Sequence, residues 1–188
     1  MPGTSRAKQY EGGLSLRRRN LEALILPITV TLVVLADQIS KFLVARYLGE
    51  GQSWDAAPWL APVFSITRVT NTGVAFGMFP GLNTLFVVVN LIVVGAILVY
   101  HYRYLAGGQV LARVALSLQL GGAVGNLVDR IRQGFVVDFF DLNFWPLRRW
   151  PVFNVADTSI VTGVALLTLL MLWEERLEQN SQRVAADG

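Results

Sequence analysis

Apolar residues in this chain gather into four long runs separated by polar or mixed stretches. The runs are about Leu21 to Val44, Leu82 to Tyr100, Leu111 to Val128 and Asp157 to Trp173. A helix needs roughly 20 mostly apolar residues to cross a bilayer, and each run is near that length. In hydrocarbon a segment must satisfy its own backbone, which leaves helices or closed barrels. Period-2 alternation is missing from all four runs, so helices are predicted. The first run has a rival reading: Arg17, Arg18 and Arg19 followed by apolar residues and Val34-Leu35-Ala36 resemble a cleavable signal peptide. The apolar pattern continues past Ala36 and three more runs follow, which favours a spanning helix.

The connections are of two kinds. A short one around His101, Arg103 and Arg113 separates the second and third runs. Two longer ones, about residues 45–81 and 129–156, hold Trp54, Trp59, Trp145 and Trp150 together with Phe64, Phe139, Phe140 and Phe144. Aromatic rings of this kind settle at the headgroup level. The segment from Val63 to Val69 is rich in β-branched residues and predicts a short strand. The predicted architecture is therefore an all-α integral membrane protein. It has four transmembrane helices and a small β platform resting on the outer leaflet.

Composition agrees. The chain has 188 residues, 53% hydrophobic and only 15% charged, against about 25% charged in soluble domains. The net charge is +3. The basic N-terminal residues Arg6, Lys8 and Arg17 to Arg19 read as a topology signal rather than a nucleic-acid patch. They place the N-terminus in the cytoplasm, and four spans return the C-terminus to the same side. Arg130, Arg132, Arg148 and Arg149 in the second outward connection weaken that signal, but the first helix usually dominates. The expected organisation is a cytoplasmic tail over 1–19, a four-span unit over 20–175 and a second cytoplasmic tail over 176–188. The tails are expected to be disordered up to about Ser15 and after about Gln179.

The absence of cysteine excludes disulfides, cysteine-based metal sites and a cysteine nucleophile. His101 is the one histidine, so a multi-histidine metal site is excluded and any Ser-His-Asp arrangement would depend on it. No metal or cofactor is expected. Polar groups at the edge of a membrane are costly and so become candidates for function. Asp37, Asn71, Asn126, Asp129, Arg130, Asp138, Asp141, Asn154 and Asp157 all fall on the outward side. Two carboxylates a few ångströms apart cannot both ionise cheaply, so one keeps its proton and the pair holds an acid and a base together. That is what aspartic proteolysis needs. Spacing leaves open which two of Asp129, Asp138, Asp141 and Asp157 pair.

Five segments, in this order, resemble lipoprotein signal peptidase, also called signal peptidase II. They are Asp37-Gln38-Ile39-Ser40-Lys41; Asn71-Thr72-Gly73-Val74-Ala75-Phe76-Gly77; Gly121 to Arg130, which reads GGAVGNLVDR; Val136-Val137-Asp138-Phe139; and Phe153-Asn154-Val155-Ala156-Asp157. The resemblance covers about residues 20 to 175. It implies a bacterial inner-membrane aspartic endopeptidase with its site near the outer surface and Asp138 and Asp157 as the catalytic pair. It implies that Asn71, Gly73, Asn126, Arg130 and Asn154 line the substrate site, with Asp37, Lys41 and Asp129 in support. The implied substrate is a prolipoprotein whose cysteine carries diacylglycerol, cut just before that cysteine and entering from the surrounding lipid. A monomer would suffice.

Each residue also has a plainer reading. Asp157, with Thr158 and Ser159, could simply favour a helix N-terminus. Asp138 could be a solvated loop acid. Asp37 and Lys41 at i, i+4 suit an intrahelical ion pair. Asp129 and Arg130 diverge on a helix, so Arg130 should reach a substrate carbonyl or a carboxylate elsewhere. Gly121, Gly122 and Gly125 could only let helices approach. Three rival functions follow: a small proton-coupled transporter, a serine protease using Lys41 with Ser65, and a non-catalytic lipid-binding scaffold.

Overall fold

The computed structural model describes residues 3–73, 83–105 and 109–187, with side chains described between 21 and 184. Its helices are α1 (Gly3–Tyr47), α2 (Asn83–Tyr104), α3 (Val110–Gln133) and α4 (Val155–Asp187); its strands are β1 (Ser53–Trp54), β2 (Phe64–Asn71) and β3 (Val136–Leu142). Among the described residues four stretches are long and apolar enough to cross a membrane: Leu21–Tyr47, Asn83–Tyr104, Val110–Gln133 and Val155–Val184. They coincide with the four predicted runs.

α3 is the hub. Half of its apolar stretch is buried, against 11%, 11% and 17% for the others. Its small residues explain why. A Cβ on Gly121 would stand 2.7 Å from Val33 Cβ, one on Gly122 would strike the Ala156 carbonyl oxygen, and one on Gly125 would stand 2.6 Å from Asp37 Oδ2. α1 and α4 can approach α3 this closely only because no side chain intervenes. At the far end of the bundle Leu26, Ile97, Leu116 and Leu120 form the apolar core. Many other large apolar side chains of the spans face outward, among them Phe42, Ile92 and Val161, each 65% exposed, as a lipid-facing surface requires. α2 packs chiefly on α3, and so does α4. A cleft therefore remains between α2 and α4.

The platform is a three-stranded antiparallel sheet in the order β1-β2-β3. β2 was predicted over Val63 to Val69 and runs two residues further. β3 corrects the reading of Asp138 as a loop acid: Val136 to Phe139 are all buried, Asp138 at 2% exposure. With both faces covered the segment shows no alternation, which is why the pattern hid it.

The tails also differ from expectation. α1 begins at Gly3 and α4 continues to Asp187. Beyond Trp173 the chain is rich in Glu, Arg, Gln, Leu and Ala, without Gly or Pro before Gly188, so helix once begun propagates. α1 also runs unbroken past Ala36, and Asp37 is fully buried; a cut there would dismantle the bundle.

Candidate active site

The site forms where the C-terminal ends of α1 and α3 meet the N-terminus of α4 and the platform. α3 stops at Gly134, which takes the left-handed conformation (φ +81°) while its N–H bonds the Arg130 carbonyl. Two residues later β3 begins, so Asp138 comes back beside the helix it has just left. The pairing of β2 with β3 carries an irregularity between Ile66 and Val69: Ile66 opposes Phe140, whereas Val69 opposes Asp138. The extra residue on β2 inverts its facing from there on. Asn71 consequently lies on the Asp138 side of the sheet, and its Nδ2 donates to Asp138 Oδ2 at 2.8 Å.

α4 begins with a reciprocal cap. The Asp157 backbone N–H donates to Asn154 Oδ1 at 2.9 Å, and the Asn154 N–H donates to Asp157 Oδ2 at 3.2 Å. The plain reading of Asp157 as a helix-start residue is thus correct, and it does not compete with the other, because Oδ1 of the same carboxylate faces the site and accepts from Asn126 Nδ2 at 2.8 Å. Asn154 also reaches the other carboxylate, donating from Nδ2 to Asp138 Oδ1 at 2.7 Å. A backbone bridge between Phe140 and Phe153 holds the preceding residue against β3. Asn154, wholly buried, therefore ties Asp138 to Asp157 from between them.

Burial, and then the neighbouring Asp157, push the Asp138 carboxyl up to about 7, while the amides of Asn71 and Asn154 and the Lys41 ammonium pull it back. Of the four acids left open by spacing, Asp138 and Asp157 border a common cleft. Asp141 lies elsewhere, accepting from Thr67 Oγ1 at 2.8 Å. Asp129 belongs to a different cluster.

That cluster sits behind the site. Lys41 Nζ lies 2.8 Å from Asp37 Oδ2 and 2.7 Å from Asp129 Oδ2, all three side chains being buried. The expected i, i+4 pair is present, and Asp129 joins it. Gln38, part of a quoted segment but not singled out, donates to Asp129 Oδ1 and to Asp37 Oδ2. The cluster touches the site at two points. Lys41 donates to Asn126 Oδ1 at 2.9 Å, and Asp37 Oδ1 accepts from the Ala156 N–H at 3.0 Å. Because Asn126 Oδ1 is engaged by Lys41, its amide nitrogen must turn to Asp157.

Arg130 diverges from Asp129, and its Nη2 donates at 2.7 Å to a carbonyl of the chain itself, that of Gly73, rather than to a carboxylate. Its guanidinium also stands 4.8 Å from the Phe86 ring centre. Its Nη1 has no partner among the described residues and is free for a ligand. The Gly73 N–H in turn bonds Asn71 Oδ1 at 3.0 Å. Val74 to Gly77 of the second quoted segment lie outside the described residues. The cleft holds about 760 Å³ and is mostly apolar, with Asn71, Asn126, Arg130, Asp138 and Asp157 as its polar end.

The family model described as signal peptidase (SPase) II matches residues 29–173. The chain belongs to the signal peptidase II family. It is 43% identical over 148 residues to the lipoprotein signal peptidase of Halothermothrix orenii, an overlap of 79% of this chain and 94% of that one. It is 43% identical over 159 residues to that of Geobacter metallireducens, covering 83% and 95%. A solved structure described as a bacterial membrane enzyme superposes with a TM-score of 0.73 at 31% identity, covering 83% of this chain and 90% of that one. A second, similarly described, gives 0.68 at 32% identity, covering 81% and 93%. This member of the signal peptidase II family is thus a protease and a multi-pass membrane protein.

Two of the three rivals fail. Ser65 bonds Asp55 and Asn143 while Lys41 is held by two carboxylates, so they form no dyad. A proton-conducting transporter would need acids through the depth of the bundle. No Asp or Glu occurs in α1 between Glu22 and Asp37, in α2 at all, or in α4 between Asp157 and Glu174.

Proposed function

We propose that the chain is an aspartic endopeptidase that removes the signal peptide from prolipoproteins whose cysteine carries diacylglycerol, cutting just before that cysteine. Asp138 and Asp157 share one proton across the scissile bond. The ionised carboxyl takes a proton from the attacking water. The protonated one gives its proton to the carbonyl oxygen; as the C–N bond breaks, the proton taken from water passes to the leaving amine and a diol O–H returns its proton to the other carboxyl. The observation that carries this reading is the convergence of the two carboxyls on one cleft, linked through Asn154 and with Asp138 holding its proton near neutrality.

Arg130, with its unused Nη1, is suited to grip a substrate carbonyl; Asn71 and Asn126 fix the acids and border the substrate, Gly73 borders it and holds Asn71 and Arg130, and Asn154 ties the two acids from within the fold. Asp37, Lys41 and Asp129 support them from behind. The site faces outward and both termini are cytoplasmic, following the arginines of α1 that precede its spanning stretch. The substrate enters sideways between α2 and α4, since a lipid-modified peptide cannot readily leave the bilayer. One copy of the chain suffices. No metal or cofactor takes part.

Purified Asp138→Asn and Asp157→Asn variants, offered a diacylglyceryl prolipoprotein in micelles, should each lose cleavage by at least about a thousandfold while still folding. Wild type should cut the unlipidated precursor far less well. Near-normal turnover by either variant would overturn the assignment of the pair.

A further inference from the structure

The polar end of the cleft is accounted for by the two carboxyls and their partners, yet two further polar side chains line its apolar part. Asn90 stands on α2 and Thr162 on α4, among Phe86, Val89 and Val161. Neither side chain makes a hydrogen bond to any described residue. Asn90 is half-buried and Thr162 exposed to the cleft, and both belong to membrane-spanning stretches, where a polar group open to lipid without a partner is costly. Thr162 is notable because its neighbour one turn earlier, Thr158, does satisfy itself by donating to the Asn154 carbonyl at 2.9 Å.

Their depth suggests what they meet. Thr162 lies five residues beyond Asp157 along α4, roughly 7.5 Å further into the bilayer. Asn90 lies seven residues, about 10 Å, beyond Asn83, whose side chain bonds the Arg130 carbonyl at the level of the site. The signal segment, if helical, satisfies its own carbonyls at that depth. The acyl esters of the glyceryl group have no donor of their own, and their carbonyls lie a few bonds past the cysteine sulfur. Asn and Thr both offer donors to such oxygens.

We infer that Asn90 and Thr162, facing the cleft from α2 and α4, form a subsite that donates hydrogen bonds to the ester carbonyls of the substrate's diacylglyceryl group. The inference rests on the function proposed above and adds a specificity element to it. The subsite distinguishes acyl esters from alkyl ethers and does not touch the reacting atoms. It therefore governs KM and leaves kcat alone.

The test uses two lipopeptide substrates alike except that one carries a diacylglyceryl group and the other its dialkyl ether counterpart. The assay runs in dodecyl maltoside, which contributes no ester. Wild type should show a KM for the ester several-fold below that for the ether. Asn90→Leu and Thr162→Val, each close in shape to the original, should raise KM for the ester by about three- to tenfold, leaving kcat and all ether kinetics unchanged. An equal rise on both substrates would mean that the donors bind peptide carbonyls, and the inference falls. Unchanged KM on the ester, or a wild type indifferent to ester against ether, overturns it as well. If wild type cuts neither substrate, the proposed function fails instead.

Discussion

At the scale of single residues, Asp138 carries the cost of the site. Its carboxyl has an ordinary value of 3.8 and is pushed up to about 7 in the fold. The folded state therefore binds this proton more tightly than the unfolded chain does. The stability it contributes is complete below about 3.8, declines above that, and is lost as pH rises through about 7. At full ionisation the loss is of order 4 kcal/mol. Asp138→Asn, permanently neutral, should melt higher than wild type at about pH 8.5, the gap closing towards pH 4, in thermal unfolding followed in micelles. The same proton is needed for cleavage, so wild-type kcat/KM should fall as pH passes about 7. Lys41 is the opposite case, a charge held by two buried carboxylates. Lys41→Met should cost about 3–5 kcal/mol, since it leaves both uncompensated, and should lower kcat through the loosened Asn126 amide. Denaturant unfolding and single-turnover cleavage would read the two effects. From the sequence the Asp37–Lys41 pair was legible because i, i+4 spacing is local. Its link to Asp129, 88 residues beyond Lys41, was not, because no local pattern encodes which helix faces fold together.

At the scale of elements, the spans and β2 could be read directly, since both rest on runs of one residue type. β3 could not. Buried on both faces, Val136-Val137-Asp138-Phe139 lacks the alternation that marks a half-exposed strand. Gly134 just before it and the β-branched and aromatic content were the usable signals. The α4 cap was half legible: Asn154 and Asp157 have capping-box spacing, but nothing local says that the same carboxylate opens on a cleft. The glycines of α3 lead to a paired prediction. Gly122→Ala would press its methyl into the Ala156 carbonyl, one residue from Asp157, whereas Gly163→Ala would press on the Ala115 carbonyl at the other end of the same helix pair. Both should destabilise by about 1–3 kcal/mol. Only Gly122→Ala should reduce kcat beyond the fraction unfolded, as melting curves beside cleavage rates would reveal.

At the scale of the whole molecule, α2 and α4 each pack chiefly on α3 and leave the cleft open between them. If substrate passes that opening, bulk there should obstruct it. Val161 lines the cleft and is 65% exposed, so Val161→Trp adds volume without disturbing the core. It should lower kcat/KM for a lipidated precursor at least about tenfold at unchanged melting temperature. The charged cluster has a further consequence, for biogenesis. α1 is made first, yet the Ala156 N–H that caps Asp37 lies 119 residues further on, and the helix carrying Asp129 also emerges much later. Until those segments arrive, acid and base on the newborn helix have only each other. By neutralising one another a single turn apart, they let the first helix settle in lipid and wait for the rest of the chain.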